Sequence, residues 1–140
     1  MNRIPPVKSV MTPFPHFIDV DESAAKAMEM MLDLEIRHLP VKRGGRLVSV
    51  VSHDDIVAAR GRGGSGPLPV SDVCASGAYI VDLSERLDRV LAHMAERHLG
   101  AALVVKEGRL AGIFTTTDAC RLLGRLLRDW YGDGDGGDAA

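Results

Sequence analysis

The sequence predicts an α+β fold made of two β-α-β-β-α repeats, and two observations support this prediction. First, sliding the 140-residue chain along itself by 63 positions lays residues 7–59 over 70–122 without a gap, and ten of the 53 pairs are identical. Second, both halves show the same order of apolar periodicities. Since each half has only about 55 residues, which is small for an independent core, we expect the two to share one.

Each repeat opens with a short strand, at 17–20 in the first repeat and at 79–83 in the second, and an amphipathic helix follows. Asp21 and Ser84 are predicted to be the N-caps of these helices, because their side-chain oxygens can accept hydrogen bonds from unpaired backbone N–H groups. One face of each helix is apolar at the i, i+3, i+4, i+7 and i+8 positions, which are Ala24, Ala27, Met28, Met31 and Leu32 in the first helix and Leu87, Val90, Leu91, Met94 and Ala95 in the second.

Two apolar runs separated by a glycine-containing turn then predict an antiparallel hairpin in each repeat. The predicted strands are 38–41 and 47–51 around Gly44-Gly45, and 101–105 and 110–114 around Glu107-Gly108. A second helix follows each hairpin, at 55–60 in the first repeat and at 118–130 in the second. The predicted organisation is repeat 1 at 7–60, a flexible linker at 61–69, repeat 2 at 70–124, a C-terminal helix extension at 125–131 and a disordered tail at 132–140.

The composition excludes several classes of protein. Hydrophobic residues make up 46% of the chain and charged residues 26%, which is typical of a packed domain. The formal net charge of −2 gives no basic surplus of the kind that nucleic-acid-binding proteins carry. No apolar stretch reaches the roughly 18 residues of a membrane span, and two cysteines cannot build a disulfide framework. We therefore expect a cytoplasmic protein with no nucleic-acid and no membrane partner.

Catalytic motifs are missing from the sequence. It contains no Gly-x-Ser-x-Gly, Cys-x-x-Cys or P-loop pattern. Gly61-x-Gly63-x-x-Gly66 matches the dinucleotide-binding pattern, but a predicted helix precedes it and Pro67 follows it, so it is interpreted as linker. We therefore predict no enzyme activity, no catalytic residue, no resident cofactor and no metal.

The end of the second hairpin strand carries the clearest chemical signal, and it occurs in both repeats. The first repeat has Ser52-His53-Asp54-Asp55, and the second has Thr115-Thr116-Thr117-Asp118. A hydroxyl at the strand end and a carboxylate three residues later, at the start of a helix, suit a ribose phosphate: Thr115, Thr117 and the helix N-terminus donate to phosphate, and Asp118 accepts from ribose. The alternative is that these residues only cap the helix.

The same segments resemble the cystathionine-β-synthase (CBS) domain family. The resemblance rests on the two strand ends, on the segment from Val7 to Pro13 that includes Met11-Thr12-Pro13, on residues 36–41, and on the gapless tandem spacing; it covers roughly 7–124. The second repeat departs from the pattern, with Cys74-Ala75-Ser76 in place of Met-Thr-Pro and Leu103 in place of a proline. The resemblance implies two repeats packed about a pseudo-twofold axis, with two clefts that bind adenosyl ligands (AMP, ADP, ATP or S-adenosylmethionine) for regulation.

The resemblance also implies which residues line each cleft. The first cleft would use Thr12, His16, Phe17, Ile36, Arg37, Ile113, Thr115, Thr117 and Asp118. The second would use Val50, Ser52, Asp54, Asp55, Ala75, Tyr79, Ile80, Leu99 and Gly100. The clefts should differ, because Asp54 places a carboxylate where the first cleft has Thr117, so we expect phosphate at the first cleft. Arg37 and Arg121 favour an anion there.

Three functions follow from these residues. The leading prediction is a non-catalytic regulatory module that binds an adenosyl ligand and acts on an unidentified partner protein. The second is a structural dimerisation module without a small-molecule ligand. The third is a metal-binding protein that uses His16, His38, His53 and Asp54 or Asp55, although these residues lack paired ligand spacing. A homodimer is predicted in addition, because the last helix carries a wide apolar stripe, made of Ala119, Leu122, Leu123, Leu126, Leu127 and Trp130.

Overall fold

The computed structural model describes residues 3–64 and 66–132 and contains the predicted elements of both repeats. The first repeat comprises, in chain order, a 3-10 helix (Val7–Ser9), β1 (Thr12–Pro13), β2 (Ile18–Asp19), α1 (Ala24–Leu34), β3 (His38–Arg43), β4 (Arg46–Ser52) and α2 (His53–Gly61). The second comprises α3 (Val70–Val73), β5 (Ile80–Asp82), α4 (Leu87–Arg97), β6 (Ala101–Lys106), β7 (Arg109–Thr115) and α5 (Thr116–Tyr131). Because each repeat has the order β-α-β-β-α, the predicted fold is confirmed.

Tight turns hold the two hairpins in register. In the β3–β4 hairpin, Gly44 and Gly45 both have positive φ, 55° and 83°. Glu107 and Gly108 take the same conformation in the β6–β7 hairpin, with φ of 51° and 78°. Two successive residues with positive φ make the turn whose twist matches that of the flanking strands, so the predicted antiparallel pairing is confirmed.

The predicted N-caps of α1 and α4 are wrong. Asp19 accepts a hydrogen bond from the Asp21 backbone N–H at 2.9 Å. Asp82 does the same for the backbone N–H of Ser84 at 2.9 Å. Each carboxylate closes a turn that delays the helix by two residues. The N-cap of α1 is therefore Ser23, and α4 begins after Arg86, which makes no side-chain capping hydrogen bond.

Each repeat begins with a segment that packs on the other repeat. We call these segments, residues 5–13 and 68–76, the entry segments. β1 pairs antiparallel with β7, so the sheet of the second repeat has the order β1-β7-β6-β5, while β2-β3-β4 form the other sheet. The Val7 backbone N–H donates to the Glu85 carbonyl at 2.8 Å, and that of Val70 donates to the Glu22 carbonyl, also at 2.8 Å. Each repeat is thus completed by the first residues of the other.

The cores follow the same exchange. Val7 is fully buried among residues of the second repeat, and Val70 is fully buried among residues of the first. A third apolar cluster joins the two sheets where β4 and β7 meet, and it includes Leu47, Val50, Leu103 and Ile113. The expectation of one shared core is therefore corrected: each repeat has its own core, completed by the other's entry segment, and the third cluster joins the two. The clefts described below open where β4 and β7 end.

The first entry segment packs closely on β7 at Gly112. A Cβ at this position would lie 3.0 Å from the backbone oxygen of Thr12 and within contact distance of the Met11 side chain. We expect Gly112→Ala to push β1 from β7 and to lower the free energy of unfolding by about 1–3 kcal/mol, as overpacking does. Urea denaturation measures this. Gly124→Ala is the control without a clash, because nothing lies within 4 Å of a Cβ there, and it should not lower the stability, since alanine favours the interior of α5. An unchanged stability of Gly112→Ala would contradict the close packing.

The predicted domain limits remain predictions. α2 ends at Gly61, which is the first residue of the predicted linker at 61–69. The structure describes this linker except for residue 65. α5 runs on to Tyr131, which covers the predicted helix extension at 125–131. The predicted disordered tail at 132–140 lies outside the described residues beyond Gly132. Among residues 3–64 and 66–132, no helix is both long enough and apolar enough to cross a membrane.

Candidate functional site

Two clefts open between the repeats. The first has a volume of about 490 Å³ and is lined by Thr12, Pro13, Phe14, Pro15, His16, Glu35, Ile36, Arg37, His38, Pro40, Ile113, Thr115, Thr117, Asp118 and Arg121. The second has a volume of about 520 Å³ and is lined by Arg37, His38, Val50, Ser52, Asp54, Asp55, Ala75, Gly77, Ala78, Tyr79, His98, Leu99, Gly100, Ala101, Thr116 and Thr117. Both volumes are in the range of small-molecule sites, roughly 300–1,000 Å³.

The structure brings almost all of the predicted site residues together, and the two exceptions occupy the same position of the repeat. Phe17 does not line the first cleft, and Ile80, which is 63 positions later, does not line the second. Each precedes a residue whose side chain is buried in the core, Ile18 or Val81. Because successive side chains of an extended segment face opposite ways, Phe17 and Ile80 point outward. The Phe17 ring instead lies 3.8 Å from the Lys42 Nζ.

The N-terminus of α5 forms one wall of the first cleft. The Thr115 hydroxyl accepts from the Asp118 backbone N–H at 3.2 Å, and Asp118 Oδ2 accepts from the Thr115 backbone N–H at 2.9 Å. The capping alternative is therefore realised in this repeat. Asp118 Oδ1 takes no part in it and lies 4.0 Å from an Arg121 guanidinium nitrogen. Capping thus occupies Thr115 and one oxygen of Asp118, and leaves the other oxygen to the cleft.

Thr117 stands between these residues at the helix start. Neither its hydroxyl nor its backbone N–H is hydrogen-bonded to another group in the described part of the chain. The preceding backbone N–H, of Thr116, donates to the Gly100 carbonyl at 3.0 Å. Of the donors predicted at this helix start, those of Thr117 are therefore the ones that can meet a ligand anion.

The corresponding N-terminus of α2 is built differently. The Ser52 hydroxyl accepts from the Asp55 backbone N–H at 3.0 Å, as in the other repeat. No hydrogen bond to the Asp55 carboxylate is found within residues 3–64 and 66–132, so the reciprocal half of the capping arrangement is missing. The second cleft therefore presents two carboxylates, those of Asp54 and Asp55, at its helix start.

Asp54 does not face the second cleft alone. An Arg37 guanidinium nitrogen donates to Asp54 Oδ1 at 2.8 Å, and His53 Nδ1 lies 3.5 Å from the same oxygen. The hydrogen bond from His53 and the positive charge of Arg37 lower the pKa of Asp54 below its ordinary value. The sequence-based expectation assigned Arg37 to the first cleft only; in the structure it lines both clefts and is paired with Asp54.

His38 separates the two clefts. It lines both, and a Cβ on Gly100 would lie 2.7 Å from its Nε2 atom, so the absence of a side chain at Gly100 makes room for the ring. Burial lowers the pKa of His38 below its ordinary value, although the nearby charges of Asp55 and Asp54 oppose this. The neutral imidazole is therefore the form that the folded protein favours.

This burial predicts a pH-dependent stability. Since the folded pKa is below the unfolded one of about 6.5, the contribution is fully present above pH 6.5 and is lost as the pH falls through the folded pKa. His38→Gln has no titrating group at this position. When the pH falls from 7.5 to 5.5, the free energy of unfolding should therefore decrease more for the wild type than for the variant. Thermal unfolding measures this, with His16→Gln as a control for the loss of an imidazole. A pH-independent difference for His38→Gln would contradict the prediction.

Several lining residues were not predicted for the clefts. Phe14 is 91% exposed with a φ of 50° at the mouth of the first cleft, where its backbone N–H donates to the Ala111 carbonyl. Glu35 and His98 end α1 and α4 in the left-handed conformation and line the first and second clefts, respectively. Glycine would have indicated such helix ends, and neither residue is glycine. His38 entered the sequence analysis only as a candidate metal ligand.

The metal-binding alternative finds no support in the side-chain arrangement. Within the described ranges, no group of three or more histidine, cysteine, aspartate or glutamate side chains is placed to hold a metal ion. His16 lines the first cleft, His38 lines both, and Asp54 and Asp55 line the second. These residues are therefore distributed around two clefts rather than around one point.

The comparisons with known proteins agree with this geometry. The family model described as CBS domain matches residues 7–62 and again 70–125. Among curated proteins, no match to the sequence is found. An uncharacterized conserved protein from Pyrococcus horikoshii has a similar structure, with a TM-score of 0.79, 25% identity, and coverage of 88% of this chain and 95% of that one.

Two further solved structures are similar and contain adenosyl ligands. CBSX2 in complex with AMP has a TM-score of 0.74 and 25% identity, and the alignment covers 89% of this chain and 99% of that one. The CBS domain pair of protein MJ0100, in complex with 5′-methylthioadenosine and S-adenosyl-L-methionine, has a TM-score of 0.79 and 24% identity, with coverage of 87% and 98%. At that identity the second likeness concerns the fold alone.

Proposed function

The chain belongs to the CBS domain family, and from this premise we propose that it is a non-catalytic regulatory module that binds a phosphate-bearing adenosyl ligand in the first cleft. The observation that carries the proposal is the start of α5, where the Thr117 donors make no hydrogen bond within residues 3–64 and 66–132, and Asp118 Oδ1 is left out of the cap and lies 4.0 Å from Arg121. The similar structure of CBSX2 with AMP supports an adenine nucleotide as the ligand class. Occupancy of the cleft would change the activity of a partner protein.

The phosphate is expected to bind between Thr117 and two arginines. The Thr117 backbone N–H lies at a helix N-terminus, where the helix dipole favours an anion. Arg37 and Arg121 line the same cleft, and their side chains are 60% and 75% exposed, so both can turn toward a ligand. Charge-assisted hydrogen bonds from a guanidinium to phosphate are roughly twice as strong as neutral ones. The first cleft therefore has a cationic side that matches a phosphate.

The ribose and the base are expected to use the remaining lining. Asp118 Oδ1 can accept from a ribose hydroxyl, since the capping hydrogen bonds use only Oδ2. Ile36, Pro40 and Ile113 supply an apolar surface for the adenine ring. Thr12 lies in β1 and His16 in the chain that follows it, while Ile113 lies in β7, so both repeats contribute to the cleft.

Calorimetric titration with AMP and ATP tests this function on the full chain, and mass spectrometry of small molecules released on denaturation tests it without choosing a ligand. Saturable binding of either nucleotide, or a released adenosyl compound, is the expected result. If the protein binds no adenosyl compound at millimolar concentration and releases none, the ligand-binding proposal is wrong. The structural dimerisation module is then the remaining function.

An exposed apolar stripe on α5 favours that second function as well as a dimeric sensor. No residue of α5 is buried, and Leu123, Leu127 and Trp130 have exposed side chains. Apolar side chains that recur at helical spacing on a surface indicate a protein contact.

We predict a homodimer formed through this stripe. Light scattering at tens of micromolar protein should give twice the mass of the 15.0 kDa chain. Leu123→Glu should shift the protein toward the monomer, because a carboxylate would be buried without a partner in the interface. Val48→Glu is the control, since it changes an exposed apolar side chain on β4 instead. A wild type that is monomeric at this concentration would contradict the prediction.

A further inference from the structure

The Arg37–Asp54 ion pair connects the two clefts. Arg37 follows α1 and lines both clefts, while Asp54 lies at the start of α2 and lines only the second. The Arg37 guanidinium is 2.8 Å from Asp54 Oδ1 and 3.3 Å from His53 Nδ1. The backbone strengthens this connection, because the Arg37 carbonyl accepts from the His53 N–H at 2.9 Å. A side chain of the first cleft thus neutralises the carboxylate that distinguishes the second.

The ion pair is built to be exchangeable. The Arg37 side chain is 60% exposed and that of Asp54 is 85% exposed. Exposed ion pairs contribute little to stability because water and salt screen them. Arg37 has five N–H donors, and a phosphate offers the bidentate geometry that a guanidinium prefers. A phosphate bound in the first cleft therefore competes well for Arg37.

The two clefts carry different groups at equivalent positions of the repeat. Asp54 stands 63 positions before Thr117, and Gly100 stands 63 positions after Arg37. The second cleft therefore has a carboxylate where the first has a donor, and a glycine where the first has a cation. Among the described residues, the charged groups that line the second cleft with Asp54 are Asp55 and Arg37, and its titratable groups are His38, Tyr79 and His98. His53 also faces this carboxylate, with Nδ1 at 3.5 Å from Asp54 Oδ1.

We propose that Arg37 couples the two clefts: a ligand phosphate in the first cleft draws Arg37 from Asp54, and the uncovered Asp54 carboxylate then restricts the second cleft to uncharged nucleosides such as adenosine. This inference rests on the proposed function. The coupling is reciprocal, as linkage requires. A second phosphate-bearing ligand binds more weakly than the first, and a ligand without phosphate is unaffected by the charge of Asp54.

Titrations of the full chain with AMP and with adenosine test the coupling. We expect wild type to bind one AMP per chain tightly and a second AMP at least about fivefold more weakly, which corresponds to about 1 kcal/mol. AMP-saturated wild type should still take up adenosine. In Asp54→Asn, which removes the charge and keeps the size, the second AMP should bind at least about fivefold more tightly than in wild type, while adenosine binding stays the same.

Asp88→Asn is the matched control, because it breaks an exposed Arg86–Asp88 ion pair of 2.9 Å that lies outside both clefts. It should leave both titrations unchanged. Nuclear magnetic resonance of the Asp54 carboxyl group provides a second readout: AMP should raise its titration midpoint by removing Arg37, whereas adenosine should not.

The outcomes separate this inference from the proposed function. Two equal AMP sites in wild type, or an Asp54→Asn variant with an unchanged second site, would overturn the coupling and leave nucleotide binding intact. An Asp54 midpoint that moves equally with AMP and with adenosine would also overturn it. If neither AMP nor adenosine binds, the proposed function fails and the coupling fails with it.

Discussion

Replacing Asp118 with alanine should weaken AMP binding at least tenfold. The variant removes the carboxylate oxygen that we propose accepts from the ribose. Hydrogen bonds to a charged acceptor contribute about 1.5–3 kcal/mol each, and about 1.4 kcal/mol is a factor of ten. The Asp118 side chain is only 17% exposed, so water replaces the lost acceptor poorly. Calorimetric titration with AMP measures the effect.

Asp118 also caps α5, so its removal has a second consequence that must be separated from the first. Loss of the hydrogen bonds between Asp118 and Thr115 should lower the free energy of unfolding by about 0.5–2 kcal/mol. Asp118→Asn keeps an acceptor for the cap and removes the charge, so it should retain more stability than Asp118→Ala. Asp55→Ala changes the equivalent residue of the second cleft and should leave the first AMP site unchanged. If Asp55→Ala abolishes AMP binding and Asp118→Ala does not, the clefts have been assigned in reverse.

Replacing Phe114 with alanine should have the largest effect on stability. Phe114 lies in β7 with no exposed surface, among the residues of the second core, which are Val7, Val81, Leu87, Val90, Met94, Ala102 and Val104. Truncation of a buried phenylalanine leaves a cavity and costs about 3–5 kcal/mol. Chemical denaturation followed by circular dichroism measures the change in the free energy of unfolding.

The repeat supplies a matched control. Val51, 63 positions earlier, occupies the same place in β4 and is likewise fully buried. Val51→Ala removes two methyl groups and should cost about 2 kcal/mol. Both variants should shift one common transition, since the core of each repeat contains residues of the other repeat's entry segment. A Phe114→Ala protein in which only half of the unfolding signal moves would show that the halves unfold separately.

Local sequence patterns were sufficient for the hairpins and the longer helices, but they did not predict the 3-10 helix, β1 or α3. Alternating apolar residues and the turns at Gly45 and Gly108 determine the hairpins, because strand pairing and turn conformation are set by residues close in sequence. The N-caps of α1 and α4 were predicted two residues early, because the Asp19 and Asp82 carboxylates accept from the backbone N–H groups of Asp21 and Ser84 and close a turn before each helix. The starts of α2 and α5 were predicted two residues late.

The residues that line the candidate site were largely predictable, whereas the pairing between their side chains was not. Hydroxyl and carboxylate residues at the strand ends, such as Thr115 and Asp118, line the clefts as the spacing and the family resemblance suggested. The pairing of Arg37 with Asp54 depends on two side chains from different elements reaching one point, and no local pattern encodes this. Phe17 points outward because it precedes the buried Ile18 in an extended segment, where successive side chains alternate. The assignment of Phe17 to the cleft rested on the family resemblance and did not include this alternation.

The exchange of entry segments determines when each core can form during synthesis of the protein. The first repeat leaves the ribosome without Val70 and Val73, which fill its core, and these residues follow only after the linker. Val7 packs with Phe114 and its neighbours, which are made more than 100 residues later. Contacts so distant in sequence are slow to form, because the intervening chain must be closed into a loop first. The core of each repeat therefore stays incomplete until both repeats are made. If the halves were expressed separately, each would lack the core residues that the other supplies.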